Sequence, residues 1–345
     1  MSTITTTVHT ADEVMLIVQT ALVRAGAAVP HAATQAAQLV EAELRGHPSH
    51  GIRRLPVLVG RLTNRLISVG ATPKLTWLAP SALQVDGEYG FGPVAAHAAL
   101  DELLPRAAQT GIAVATIAHS HHIGMLSPYV ERMVQAECIG LILTISEGLV
   151  HPWGGVGPLV GTNPIGIGVP STKGPIILDM STAAVSMGKV LDYAARDEPM
   201  PSGWAVDAAG EPTTDARAVA RGAISPFGGA KGYALAVALE AVVALLARAS
   251  YGLDVKGTLD TQHPSTKGDV FIAISTEMFG ASASDADLAA YLELIRGSGH
   301  NGATVSVPGD RARAEREERL AHGIPIDPAL WQTVQSLAAP EPGKV

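Results

Sequence analysis

Between about residues 112 and 179 the chain alternates short β-branched runs with longer helix-like stretches, and this alternation restricts the fold more than any other feature. The runs fall at 112–118, 139–145, 165–169 and 176–179, and the helix-like stretches at 94–108 and 124–136. Strands interleaved with helices imply an α/β unit, one sheet covered by helices. On either side the period is mainly helical. Residues 11–25 and 31–45 read as alanine-rich helices, with Gly26 closing the first and Pro30 opening the second, and a third runs from about 52 to 66. Beyond Gly228 an apolar helix covers 231–249. A linker (252–268), a strand (270–274), a helix (285–297), a strand (303–307) and a charged helix (309–320) follow, and the tail 339–345 reads as frayed. The expected fold class is α/β: an α/β domain over 74–219 inserted in a discontinuous, mainly helical domain made of 1–73 plus 220–345.

Composition removes several functions. With 345 residues, 47% hydrophobic and 16% charged, the chain can bury a sizeable core. Aromatics are only 4%, the net charge is −8 and no basic block exists, which argues against a nucleic-acid or membrane-surface partner. A single cysteine, Cys138, excludes an intrachain disulfide and a cysteine-rich metal site. The longest apolar run, 232–247, is about one turn short of the ~20 residues that span a bilayer, and it contains Glu240. It is expected to be a buried helix. Residues 1–10 carry no secretory pattern, so a cytoplasmic location is expected.

Five phrases could carry chemistry. In 46–54, Ser49 and His50 precede Arg54, and Pro48 and Gly51 mark a turn. If a helix begins near Ser49, His50 and Arg54 share one face. A titratable imidazole beside a fixed cation suits a small anionic substrate that gains or loses a proton, and a helix cap is the alternative. The phrase 118–124 follows a strand, where open α/β sheets place ligands, and holds His119, His121 and His122. In an extended chain His119 and His121 point one way and His122 the other, and no nearby carboxylate or cysteine completes a metal set. General acid–base work, packing and metal binding all stay open there. Gly161-Thr162-Asn163-Pro164 and Leu178-Asp179-Met180-Ser181-Thr182 offer hydroxyls, an amide and an acid, as turns and helix caps or as hydrogen-bonding groups for a ribose. Lys231 opens the apolar helix, against its dipole, which makes sense if an anion lies over the free N–H groups. The apparent G-x-G-x-x-G at 297–302 follows a helix and precedes a strand, the reverse of the dinucleotide fingerprint.

Taken in order, these phrases resemble the malate/L-lactate dehydrogenase family of NAD(P)-dependent oxidoreductases. The resemblance also rests on Asp86-Gly87 to Gly92, Pro152-Trp153-Gly154-Gly155, Gly188-Lys189-Val190, residues 203–207 and 212–215, Gly228 to Tyr233, and Pro308-Gly309. It covers nearly the whole chain. It implies a non-Rossmann α/β cofactor domain inserted between helical segments, a homodimer, and NAD or NADP as cofactor. By the same resemblance Arg54 clamps the substrate carboxylate and Thr162 also contacts substrate. His122, Ile123, Gly124, Met125, Leu126, Ser146, Asp179, Met180, Ser181, Lys231, Gly232, Pro308, Gly309 and Asp310 then line the cofactor site. The proton carrier is His122 by analogy with ureidoglycolate-type enzymes, or His50 with Ser49 relaying by analogy with cyclic-imine reductases. The chain departs from the pattern at Lys189, where those imine reductases carry an acid, at Leu58, where a tyrosine is common, and across 261–269.

The expected function is hydride transfer between NAD(P) and C2 of a small 2-hydroxy or 2-oxo carboxylic acid, of malate, lactate, sulfolactate or ureidoglycolate type. The alternatives are an NADPH-dependent cyclic imine reductase of Δ1-piperideine-2-carboxylate type, a metal hydrolase built on His119, His121 and His122, and a catalytically silent binding protein.

Overall fold

A computed structural model describes residues 6–281 and 286–340. Helices Ala11–Arg24, Val29–Leu44, Leu55–Thr63 and Pro328–Ala338 bury one core around Val18, Leu22, Leu39, Ile52, Leu55 and Trp331. Thr10 caps the first helix, accepting the Glu13 N–H at 3.2 Å. Strands Thr7–His9 and Ile324–Ile326 pair antiparallel and tie the two ends of the chain together.

Against this body stands a seven-stranded sheet. Its order is Lys74–Ala79, Ala82–Gly90, Ile112–Ser120, Asp269–Ser275, Cys138–Thr144, Ile165–Val169, Ile176–Met180. Only the Ala82–Gly90 and Ile112–Ser120 pair is parallel. Alternate residues serve opposite faces. Ala113, Ala115, Ile117, Ile142, Phe271 and Ala273 pack under helices Gly92–Thr110 and Ser127–Gln135. Leu143, Val270 and their neighbours pack under helix Ala230–Ala247. A smaller five-stranded sheet, with helix Met187–Arg196, encloses a third core around Val150, Val190 and Ile224.

Several expectations change. The strand near 270 does not stay with the helical segments: it lies in the middle of the large sheet, between Ile112–Ser120 and Cys138–Thr144. The helix expected over 52–66 is a 3-10 turn, Ile52–Arg54, running into helix Leu55–Thr63, and a separate 3-10 turn, Pro48–His50, precedes it. Gly51 is extended (φ −90°, ψ −150°) and breaks any continuous helix, so His50 and Arg54 are not one α-turn apart. Helix Ser127–Gln135 starts later than expected because Gly124 sits at φ +84°. Residues 303–307 form no strand. The hairpin at 74–90, the small sheet and helix Pro328–Ala338 were not legible as elements. Helix Ala230–Ala247 is not fully buried: Leu235, Val237, Val242, Leu245 and Leu246 are exposed, Leu245 by 72%. Cys138 is a buried core residue, as expected. Residues 1–5, the first residue of the helix expected at 285–297, and 341–345 of the tail lie outside the described residues.

Candidate active site

The three bodies meet at a cavity of about 130 Å³. Its walls bring together Ser49, His50, Arg54, His122, Ser146, Thr162 and Ser181, with apolar contributions from Leu149, Pro164, Met187 and Leu259.

The loop carrying His50 and Arg54 is held by Glu43, near the end of its helix. Glu43 Oε1 accepts the Ile52 N–H at 2.9 Å. A Cβ on Gly51 would fall 2.0 Å from the same oxygen, so only glycine lets the buried carboxylate come this close. His50 Nδ1 lies 3.1 Å from Ser49 Oγ. Burial, the Arg54 charge and His47 push the His50 pKa down to about 4.

Arg54 Nη2 donates to the Thr258 carbonyl at 2.6 Å. Among the described residues this is the one hydrogen bond of the Arg54 side chain, which also lines the cavity. Thr258 and Leu259 are held in turn by Glu147, whose Oε1 accepts both backbone N–H groups, at 2.7 and 2.9 Å, and the Thr258 hydroxyl at 3.0 Å.

The three histidines after strand Ile112–Ser120 diverge. His119 adopts φ +48°, not an extended conformation, and its Nδ1 meets Asp86 at 3.1 Å on the surface. His121 is buried; its Nε2–H donates to Leu66 O at 2.7 Å and its Nδ1 accepts from Arg61 Nε at 3.2 Å. His122 alone reaches the cavity, stacked on His50 with ring centroids 5.5 Å apart. Its Nδ1 accepts the Gly124 N–H at 3.0 Å, so the neutral ring carries its proton on Nε2. Desolvation in the cavity wall, with the Arg54 charge and His50 nearby, holds its pKa well below the usual histidine value. Each imidazole answers to a different neighbour, which takes away the basis for a three-histidine metal site. Among the described residues no other group of His, Cys, Asp and Glu could hold a metal.

The opposite wall is hydroxylic. Ser146 Oγ lies 2.9 Å from Thr162 Oγ1 and accepts the Thr162 N–H at 2.9 Å. Asn163, fully buried, donates to Glu240 Oε2 at 2.8 Å, and Gly161 N–H donates to the same oxygen at 3.2 Å. The acid inside the apolar helix therefore anchors the 161–163 turn. Asp179 acts as the helix cap: Oδ2 accepts the Leu126 and Ser127 N–H groups at 2.7 and 2.8 Å.

Other expected residues stand apart from the cavity. The side chains of Ile123, Met125 and Leu126 are core, and Met180 is not in the wall. Asp310 is bound by Arg296 through two bonds of 2.9 Å and by the Val307 N–H at 2.9 Å, which pushes its pKa to about 2. The Pro308 carbonyl accepts the Ile177 N–H at 2.9 Å, docking the Pro308–Gly309–Asp310 turn on the edge strand that carries Asp179. Lys231 is exposed in the first turn of its helix, outside the cavity wall, and Gly232 is buried against the Phe227 carbonyl.

Comparison with known proteins decides the family. A model of the malate/L-lactate dehydrogenase family matches residues 9–335. The chain belongs to the malate/L-lactate dehydrogenase family. Among its relatives is the malate/(S)-sulfolactate dehydrogenase of Methanothermus fervidus, 35% identical over 314 residues, 91% of this chain and 92% of that one. Another is the Δ1-pyrroline-2-carboxylate/Δ1-piperideine-2-carboxylate reductase of Pseudomonas aeruginosa, 35% identical over 335 residues, 95% and 98% of the two chains. The crystal structure of a dehydrogenase from Sinorhizobium meliloti superposes with a TM-score of 0.92 at 41% identity, covering 97% of this chain and 99% of that one. As a member of the malate/L-lactate dehydrogenase family the protein is an oxidoreductase with a mixed α/β fold, and its cofactor is NAD or NADP.

The cavity suits that cofactor's reactive end. Ser146, Thr162 and Ser181 offer hydroxyls to a neutral amide, while Leu149, Pro164 and Met187 offer apolar surface to a planar ring. Glu43 and Glu147 escaped sequence reasoning. Glu43, between Glu41 and Arg45 in a helical period, left no trace, whereas Glu147 is the one charged residue in the Gly- and Pro-rich run 145–164.

Proposed function

We propose that the protein transfers a hydride between the nicotinamide of NAD or NADP and C2 of a small 2-hydroxy or 2-oxo carboxylic acid. The observation that carries this reading is a single arrangement. A half-buried guanidinium with one protein hydrogen bond among the described residues stands beside two stacked imidazoles, of which only one is free to change its protonation.

Arg54 takes the substrate carboxylate, a charge-assisted contact that fixes C2 in place. His122 Nε2–H donates to the C2 oxygen. Because the Gly124 N–H points at its Nδ1, His122 has no second site for a proton and serves as a fixed donor. His50 has no such constraint. Its Nδ1 faces a serine hydroxyl, which donates or accepts, so Ser49 supports either form of the ring. We assign the proton to His50. In reduction it gives a proton to the C2 oxygen, and in oxidation it takes one. Bound cofactor supplies or accepts the hydride. Binding of the carboxylate offsets the Arg54 charge, which raises the His50 pKa in the complex toward neutrality.

The cofactor assignment extends along the edge of the large sheet, from Gly124 and Ser146 past Asp179, Met180 and Ser181 to the turn at Pro308–Asp310. The Pro308–Ile177 hydrogen bond that joins that turn to the edge strand supports it. A second copy of the chain completes the assembly. The exposed face of helix Ala230–Ala247 consists of Ala, Leu and Val, while Glu240 on the other side is fully engaged by Gly161, Asn163 and Gly252. An apolar stripe of this length, held against the sheet on its reverse side, fits a homodimer interface.

A panel of pyruvate, oxaloacetate, sulfopyruvate and Δ1-piperideine-2-carboxylate, each with NADH and NADPH and followed at the nicotinamide absorbance band, tests the reading. Turnover of an oxo acid supports it, and turnover of the cyclic imine alone replaces it with the imine-reductase activity named for the Pseudomonas aeruginosa relative.

A further inference from the structure

The cavity that gathers His50, Arg54 and His122 holds one permanent charge. Among the described residues of its wall, Arg54 is the only lysine, arginine, aspartate or glutamate. His50 and His122 have depressed pKa values and add no charge near neutral pH. The neighbouring cations are committed elsewhere. Arg61, in the wall of a smaller cavity behind the histidine pair, donates to the Asp260 carbonyl, to the His263 carbonyl at 2.9 Å and to His121. Arg53 pairs with Asp192 at 2.6 Å, Lys189 lies over the Trp204 ring, and Lys267 bonds both carboxylate oxygens of Asp269.

The wall beside Arg54 is also backed by an anion. The Thr258 carbonyl accepts from Arg54, and Leu259, the next residue, lines the cavity with 40% of its surface exposed. Glu147 Oε1 accepts the backbone N–H of both, that of Leu259 at 2.9 Å, and its charge acts on Arg54 as well. Arg54 is thus already balanced in part before a substrate carboxylate arrives.

We infer that the substrate carries a single carboxylate and an uncharged, apolar side chain, and that Leu259 is the specificity-determining residue which that side chain meets. The inference rests on the hydride-transfer reading above, with Arg54 as the carboxylate contact. In that reading C1 lies on Arg54, the C2 oxygen on the histidines and the nicotinamide over one face of C2. The remaining substituent of C2 is left with the Leu259 wall. A second carboxylate or a sulfonate placed there would lose its water, meet a leucine side chain and approach Glu147, with no counter-ion to offset the loss. The reduced nicotinamide is neutral. The proton that His50 carries into reduction passes to the C2 oxygen, so it leaves no lasting counter-charge. A methyl or branched alkyl group in the same place exchanges water for apolar contact instead.

The test compares 4-methyl-2-oxopentanoate with oxaloacetate as substrates of the full chain. The two acids share C1 to C3 and end in an isopropyl group or a carboxylate of nearly the same shape, so they differ mainly in charge. Pyruvate and 2-oxobutanoate extend the uncharged set, and sulfopyruvate the charged one. The best uncharged acid is expected to exceed the best charged acid in kcat/KM by at least about tenfold, and a smaller or reversed ratio overturns the inference. Leu259→Lys supplies a cation at the wall and should raise kcat/KM for oxaloacetate relative to 4-methyl-2-oxopentanoate by about tenfold or more. An unmoved ratio, in a variant with wild-type circular dichroism and NADH binding, removes Leu259 from the role. Should Leu259→Lys fail to fold, the wild-type comparison decides alone. Failure to reduce any oxo acid of either set, with either cofactor, sinks the hydride-transfer reading itself. A charged acid preferred while Arg54→Ala still raises KM sinks this inference only.

Discussion

The Gly124 amide donates to Nδ1 of His122 across 3.0 Å, and the bond fixes which nitrogen of that ring carries the proton. A backbone N–H has no alternative role, so protonating Nδ1 would set two donors against each other. His50, 5.5 Å away ring to ring, faces a hydroxyl and escapes this restriction.

The two histidines should therefore fail differently. Glutamine places an amide N–H near the position of Nε2, so His122→Gln keeps a donor and retains activity within about tenfold of wild type. His50→Gln removes the group that exchanges a proton and costs on the order of 10²–10⁴ in kcat. Steady-state kinetics with both variants, alongside fluorescence titration of NADH binding, checks the division. Equal losses at both positions would contradict it.

Arg54 is read from KM. Arg54→Lys keeps the charge but loses the planar fork, while Arg54→Ala loses both. KM for the acid is expected to rise about tenfold in the first and about a hundredfold or more in the second, with cofactor affinity unchanged. An unaltered KM in Arg54→Ala would take the residue out of the substrate contact.

The depressed histidines make the fold acid-sensitive. His50 and His121 titrate at about 4 in the folded chain, against 6.5 for a free histidine, and His122 is also held well below 6.5. Below 6.5 the unfolded chain takes up protons that the folded chain refuses until about 4. Unfolding is therefore favoured as pH falls through that window, and the contribution to stability is fully present above it. Tm measured from pH 7 down to 4 should decline across it, and a His121→Gln variant should decline less steeply.

The stripe on helix Ala230–Ala247 predicts an assembly. Leu245 is 72% exposed in the single chain. Leu245→Arg should turn a dimer into a monomer by light scattering or sedimentation while leaving the helix folded. A monomeric wild type would remove the proposed interface.

How far the sequence reached depends on what kind of signal a residue leaves. The β-branched runs gave four strands of the large sheet within two residues at either end, because alternation between two packed faces is a local property. The strand at 269–275 was also visible as an element. Its place between strands more than a hundred residues earlier was not, because register across such distances leaves no local trace. His50, Arg54, His122, Ser146, Thr162 and Ser181 were all named from sequence, and they share one cavity. Asp179 and Asp310 were also named, but their carboxylates are taken up by backbone N–H groups and arginines. The same short polar residues serve as caps and as ligands, and only coordinates separate the two uses. Glu43 was missed for the opposite reason: inside a helical period, a buried acid looks like any solvated one.

Strand Asp269–Ser275 also governs the order in which the molecule can be assembled. Strands Ile112–Ser120 and Cys138–Thr144 do not touch each other; each pairs with this third segment. During synthesis, both wait with open edges for more than a hundred residues until it emerges. A product truncated near residue 219 would keep two adjacent, apolar, unpaired strand edges, the geometry that invites pairing between chains. Such fragments should aggregate rather than fold, and refolding of the whole chain should be slow, limited by closing that long loop.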